Sequence, residues 1–182
     1  MAMHELYQKG VEAGERALGP RFFEEEVGAF WGLMQTRPYM RARHGLALTL
    51  WKLGARTEAI AHLQELLRLN PHDNQGTRYS LVSWLFETGV DEELGKLFAT
   101  YGDDAAAEWT YTQALWTFRL QGASRQANQL VREAYRWNTR VPAYLLGSRQ
   151  LPQELPRMIG LGNEREAGQR RGSLILNQPA EL

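Results

Sequence analysis

The 182-residue sequence contains no cysteine. That excludes disulfides, cysteine nucleophiles and thiolate metal sites. It also has no excess of either charge: 21 Lys and Arg stand against 21 Asp and Glu. A balanced chain sets up no field to draw in nucleic acid or an anionic membrane, so neither partner is expected. No apolar run approaches the roughly 20 residues that a membrane helix needs. Met1-Ala2-Met3-His4-Glu5 lacks the basic start and apolar core of a secretory signal, so the expected location is cytoplasmic. Histidine is scarce too. His4, His44, His62 and His72 have no metal-ligand spacing among them. No nucleophile elbow or phosphate loop is present, and Gly160-Leu161-Gly162 lacks the downstream glycine and preceding strand of a dinucleotide site. No enzymatic activity, metal or cofactor is expected.

What the sequence does contain is a recurring interval. A Gly-x4-Ala pattern appears as Gly54…Ala59 and again as Gly122…Ala127, and 122 − 54 = 68. The same offset relates Leu46 to Ala114, Leu50 to Phe118, Leu63 to Val131 and Asn70 to Asn138. That interval is twice the period of about 34 residues of a two-helix repeat. With 43% hydrophobic and 23% charged residues, the chain has the composition and length of one globular domain.

Apolar spacing predicts helices over 4–18, 21–33, 37–53, 56–69, 75–88, 91–100, 104–121 and 124–137. Gly10, Ala13, Gly14 and Ala17 give the first a small-residue face that lets another helix approach. The second carries Phe22, Phe23, Val27, Phe30 and Trp31, with Glu24-Glu25-Glu26 in its solvated first turn. Thr36 is placed to cap the third, before Pro38. Gly54, Gly89 and Gly122 turn the first helix of each pair into the second, and Asn138 reads as a left-handed terminator. The fold class is therefore all-α: a superhelix of antiparallel helix pairs with flanking helices in a single domain, 1–182. Residues 1–36 form N-terminal helices and 37–138 three helix-turn-helix repeats. Residues 139–177 form an irregular C-terminal hairpin, with a helix over 163–176, and 178–182 a tail. Hairpins of this kind bury their apolar faces only by stacking on neighbours. On the helix over 124–137, Ala127, Leu130, Val131, Ala134 and Tyr135 are expected to pack inward.

At Gly54-x4-Ala59…Asn70-Pro71 the chain resembles a tetratricopeptide repeat protein, although Arg43 stands where a tryptophan is typical and Leu63 where an aromatic is typical. The strings Arg37-Pro38-Tyr39-Met40-Arg41-Ala42-Arg43, Leu69-Asn70-Pro71-His72-Asp73-Asn74-Gln75-Gly76-Thr77-Arg78-Tyr79 and Asn138-Thr139-Arg140-Val141-Pro142-Ala143-Tyr144 resemble a poorly characterised group of such proteins. That group includes bacterial members and the eukaryotic suppressor-of-tumorigenicity-seven proteins. The resemblance implies a scaffold without enzymatic activity that binds a protein or peptide in a concave groove.

Projected on this sequence, the groove is lined by Arg41 and His44, then Gln75, Arg78 and Tyr79, then Trp109, Gln113 and Trp116. The mixture of Arg, Trp and Tyr is typical of interaction hot spots. Trp109 and Trp116 lie seven residues apart on one helix face, so they either line the groove or pack between repeats. The carboxylate clamp of chaperone-tail-binding repeats has no counterpart here. Arg41 and Arg78, if close together, could take a carboxylate or phosphate, or they pair with local acids such as Asp73 or Glu108. The alternative function is a small-ligand or enzymatic pocket around Asp73, His44 and Arg41. Asp73 reads either as a base or ligand there, or as the cap of the following helix. Self-association through Phe22, Phe23 and Phe30 is a further possible partner mode.

Overall fold

The computed structural model describes residues 3–150 and 161–167. Among these residues there are helices and no strand. They are α1 (Met3–Leu18), α2 (Pro20–Glu25), α3 (Arg37–Lys52), α4 (Arg56–Leu69), α5 (Thr77–Thr88), α6 (Asp91–Thr100), α7 (Ala107–Gln121), α8 (Arg125–Trp137) and α9 (Val141–Leu145). Residues 164–167 are also helical. The remainder of the helix expected over 163–176, and the tail 178–182, lie outside the described residues. The contacts group into two compact units, Met1–Trp84 and Leu85–Leu182.

In the first unit α3 is the central element, packed against both α1 and α4. The small-residue face of α1 is what permits the first of these contacts. A Cβ added to Gly14 would lie 2.8 Å from the Tyr39 side chain, and one on Gly10 would lie 3.1 Å from Ala42. The relation is reciprocal, because Gly45 of α3 faces the Tyr7 ring of α1. On its other side α3 buries Leu46, Ala47 and Leu50, and α4 buries Ala59, Leu63 and Leu66. The two helices join at Gly54, whose φ of 85° reverses the chain in a conformation that costs glycine little.

Two local expectations are corrected. The helix expected over 21–33 ends at Glu25, and the chain continues through 3-10 turns at Phe30–Gly32 and Met34–Thr36. Gly28, with φ of 87°, breaks the helical run. The turns bring Phe22 to 5.7 Å and Phe23 to 5.2 Å from Phe30, ring centre to ring centre, and Phe23 to 5.0 Å from Tyr39. Phe30 is fully buried in this cluster and offers no face for self-association. Thr36 does not cap α3. It is buried, and its hydroxyl contacts the Phe30 carbonyl and donates to the Leu33 carbonyl at 2.7 Å, tying the turns together.

In the second unit α7 and α8 form the densest helix pair, joined at Gly122 (φ 63°). Ser124 caps α8 by accepting from the Ala127 amide at 3.0 Å, and Ala127 is fully buried. Val131 and Tyr135, expected to pack inward, are largely exposed instead, as is Phe118. Asn138 is extended rather than left-handed. Its side-chain amide donates to Glu166 at 2.9 Å and to the Asn163 carbonyl at 3.0 Å. Buried Glu166 also accepts from the Ala107 amide at 2.8 Å and the Gly162 amide at 2.7 Å. Around this node Ala107, Tyr111, Ala134, Val141, Tyr144 and Ala167 form one apolar cluster.

Close approach of α1 to α3 predicts that Gly14→Leu is costly, since Tyr39 is itself buried and cannot swing aside. The expected loss is about 1–3 kcal/mol by overpacking, read as a lower urea midpoint. Gly19→Ala, with open space around the added atom, tests backbone strain alone.

Candidate functional site

Three first-unit candidates, Gln75, Arg78 and Tyr79, lie where the chain enters α5, and Arg41 and His44 lie on α3. Asn70-Pro71 ends α4, and the Asp73 amide donates to the Asn70 carbonyl at 2.9 Å. Asp73 adopts a left-handed backbone with φ of 48°, a conformation that Asp tolerates better than most residues. This aims its carboxylate into the first turn of α5. Oδ1 accepts from the Thr77 amide at 2.7 Å, and Oδ2 accepts from the Arg78 amide at 3.1 Å and from Arg78 Nη1 at 3.0 Å. These are amides that a helix start leaves without carbonyl partners. Asp73 is 4% exposed. Its lone pairs are taken up in capping and in the ion pair, so it has the geometry of a helix cap rather than of a general base.

Arg78 in turn donates from Nη2 to the Tyr79 hydroxyl at 2.9 Å, and its guanidinium lies 4.5 Å from the Tyr79 ring centre. Asp73, Arg78 and Tyr79 therefore form one connected group. Of the two carboxylate-binding arginines weighed from sequence, Arg78 pairs with the local acid. Arg41 is exposed and makes no ion pair among the described residues. His44 is half-buried on α3, and its Nε2 is buried without a hydrogen-bond partner. Burial holds its imidazole below the ordinary value of 6.5, against the opposing pull of Asp73. Gln75 is half-buried, with an unpartnered Oε1.

The second-unit candidates are placed differently. Trp109 is fully buried, with its ring 5.1 Å from Phe98 and 6.2 Å from Tyr101. It belongs to the packing between α6 and α7, which corrects its assignment as a groove aromatic. Trp116, on the same face, lies 5.4 Å from the Phe98 ring and donates from Nε1 to Asp91 at 3.0 Å. Gly95 leaves room for it on α6. Gln113 lines a separate cavity of about 260 Å³ with the 102–105 loop and Trp137. The choice left open by sequence for Trp109 and Trp116 thus falls to packing between helices. The reason is that α6 supplies apolar and small residues opposite both rings.

Two features were missed from sequence. Glu166 owes its importance to contacts with distant residues, which no local pattern marks. Arg43, whose Nη1 is bonded to the Tyr39 hydroxyl, was marked in the sequence only by standing where the repeats it resembles carry a tryptophan. Among the described residues no group of three or more His, Asp or Glu could hold a metal ion, and no helix is long and apolar enough to cross a membrane. Comparison with protein-family models, curated proteins and solved structures returned no match.

Asp73→Ala is expected to lower stability by about 2–3 kcal/mol, because it removes three acceptor contacts, one of them the ion pair with Arg78. Urea unfolding measures this. Stability should also fall in mild acid. His44 and His62 are both held below the usual histidine value by burial, and for His62 also by Arg43. The folded state therefore favours neutral imidazoles. Their contribution is fully present above about pH 6.5 and is lost as pH falls below it. Unfolding at pH 7.5 and 5.5 should show a larger drop for the wild type than for a His44→Gln/His62→Gln variant.

Proposed function

We propose that the protein is a non-enzymatic, tetratricopeptide-like helical-repeat scaffold that binds a protein or peptide segment on the faces of its first helices. The observation that carries this reading is the contact between Trp51 of α3 and Trp84 of α5. Their rings stack 4.3 Å apart at an interplanar angle of 3°. The two positions are 84 − 51 = 33 residues apart, close to the period of about 34 residues of a two-helix repeat. Within the second unit, Arg119 Nη1 donates to the Phe86 carbonyl at 2.8 Å, and 119 − 86 is again 33. Contacts at one repeat length are what side-by-side first helices produce.

On the first unit the binding face consists of Arg41, His44, Gln75, Arg78 and Tyr79. Exposed Arg41 and the Arg78–Tyr79 pair supply charge and an aromatic ring. His44 and Gln75 are half-buried on this face, and their unpartnered Nε2 and Oε1 are shielded from solvent. On the second unit, taken by itself, Gln113 and the half-buried Trp116 remain as candidates, and Trp109 is core. The alternative is an enzymatic or small-ligand pocket around Asp73, His44 and Arg41. It is less well supported, because Asp73 is committed to the α5 amides and to Arg78.

Affinity purification from the native host, followed by mass spectrometry, tests the scaffold reading. Arg41→Glu leaves the fold intact, since Arg41 has no ion pair to lose. It should abolish capture of a partner that the wild type retains. A partner held equally by Arg41→Glu, Gln75→Ala and Arg78→Ala variants would move the binding site elsewhere.

A further inference from the structure

A cavity of about 460 Å³ opens on the first unit between α1, α2, α3 and α4. We propose that it receives the lysine or arginine side chain of a partner protein segment. This rests on the scaffold reading only in taking the ligand to be part of a protein, and it uses different residues. The volume is in the range of specific ligand sites, roughly 300–1,000 Å³.

The charges of the lining decide the ligand. Two arginines face three glutamates, but they are not equally available. Arg68 donates Nε and Nη2 to the two carboxylate oxygens of Glu65 at 2.6 and 2.7 Å, so that pair is internally neutral. Arg43 is drawn inward. Its side chain is only 16% exposed, its Nη1 is bonded to the Tyr39 hydroxyl, and its guanidinium lies 5.7 Å from the Tyr39 ring centre. Its contact with Glu15 is long, at 3.6 Å, and the Glu15 side chain is 48% exposed. Exposed Glu24 has no ion pair among the described residues. The charge that a ligand meets is therefore negative and lies on the α1–α2 wall.

Between the carboxylates the surface is apolar. Pro20 and Phe23 form it, and Phe23 is held edge-on to Tyr39 at 5.0 Å. A basic side chain matches both features, with its methylene stem on Phe23 and its cationic head between Glu15 and Glu24. An anion would meet exposed Glu24, half-exposed Glu15 and an Arg68 already occupied. A neutral apolar ligand would leave Glu24 uncompensated at the edge of the contact.

The probe is an end-capped, fluorescein-labelled hexapeptide, Gly-Arg-Gly-Gly-Arg-Gly, titrated with the full chain at low ionic strength and followed by anisotropy. Saturable binding is expected, and the analogue with glutamate in place of arginine should not bind. Glu15→Gln/Glu24→Gln should weaken binding about tenfold or more. Arg41→Ala, at the proposed groove, should leave it unchanged. If the double variant is unstable, Glu24→Gln alone replaces it, since that change removes no contact within the protein and should also weaken binding. Absence of saturable binding would overturn the proposal, as would equal affinity of the wild type and the glutamine variants. Failure of the wild type to bind the basic peptide, together with capture of a partner through Arg41, would count against this cavity and leave the groove reading standing.

Discussion

The chain reverses direction within two or three residues after a long helix, and every later contact depends on that reversal being made in one way. At Gly54 and Gly122 the backbone enters the left-handed region, so the second helix folds back along the first. The apolar stripes of the pair then meet on one side, where Ala59 and Ala127 are small enough to leave no room for solvent. A second stripe is left on the outside of each pair. In the first unit α1 fills that requirement for α3, with glycine facing tyrosine in both directions. The first unit is thus a central helix covered on two sides.

Polar side chains secure the places where the helices end. Asp73 closes the start of α5, Thr36 ties two 3-10 turns, and Glu166 gathers amides from three separate segments. Each is buried and hydrogen-bonded, as burial of a polar group requires. Asp73 accepts from the Thr77 and Arg78 amides and the Arg78 side chain, Glu166 accepts from two backbone amides and the Asn138 side chain, and the Thr36 hydroxyl donates to a carbonyl. This pattern also bears on function. A carboxylate that is fully engaged in holding a helix start has nothing left for chemistry, whereas Glu24 and Arg41 have nothing to hold. The residues open to a partner are the ones the fold does not consume.

Much of the architecture was legible in the sequence, because helix boundaries follow from local rules. The expected limits for α3, α4, α6 and α8 lie within a residue of those observed. The small face of α1 was equally readable, from glycine and alanine at helical spacing. The region after Glu25 was not, since Phe30 and Trp31 continue the apolar pattern while Gly28 interrupts the backbone. The roles of individual site residues were harder still. Periodicity places Trp109 and Trp116 on one face of α7, but only the neighbour opposite decides whether that face is groove or core. Phe98, Tyr101 and Gly95 decide it, and they lie outside α7. Glu166 gave no signal at all, because its partners are Ala107, Asn138 and Gly162.

The Glu166 node has a temporal consequence. Its bond to the Ala107 amide closes a stretch of 59 residues, and Ala167 sits beside it in the same cluster as Tyr111. During synthesis α7 and α8 can pair as soon as both are made, but the Ala107 amide lacks its Glu166 acceptor until residue 166 has left the ribosome. The second unit is therefore finished from its far end. A truncation before that point would leave a helix pair whose first turn and apolar cluster are both open to water.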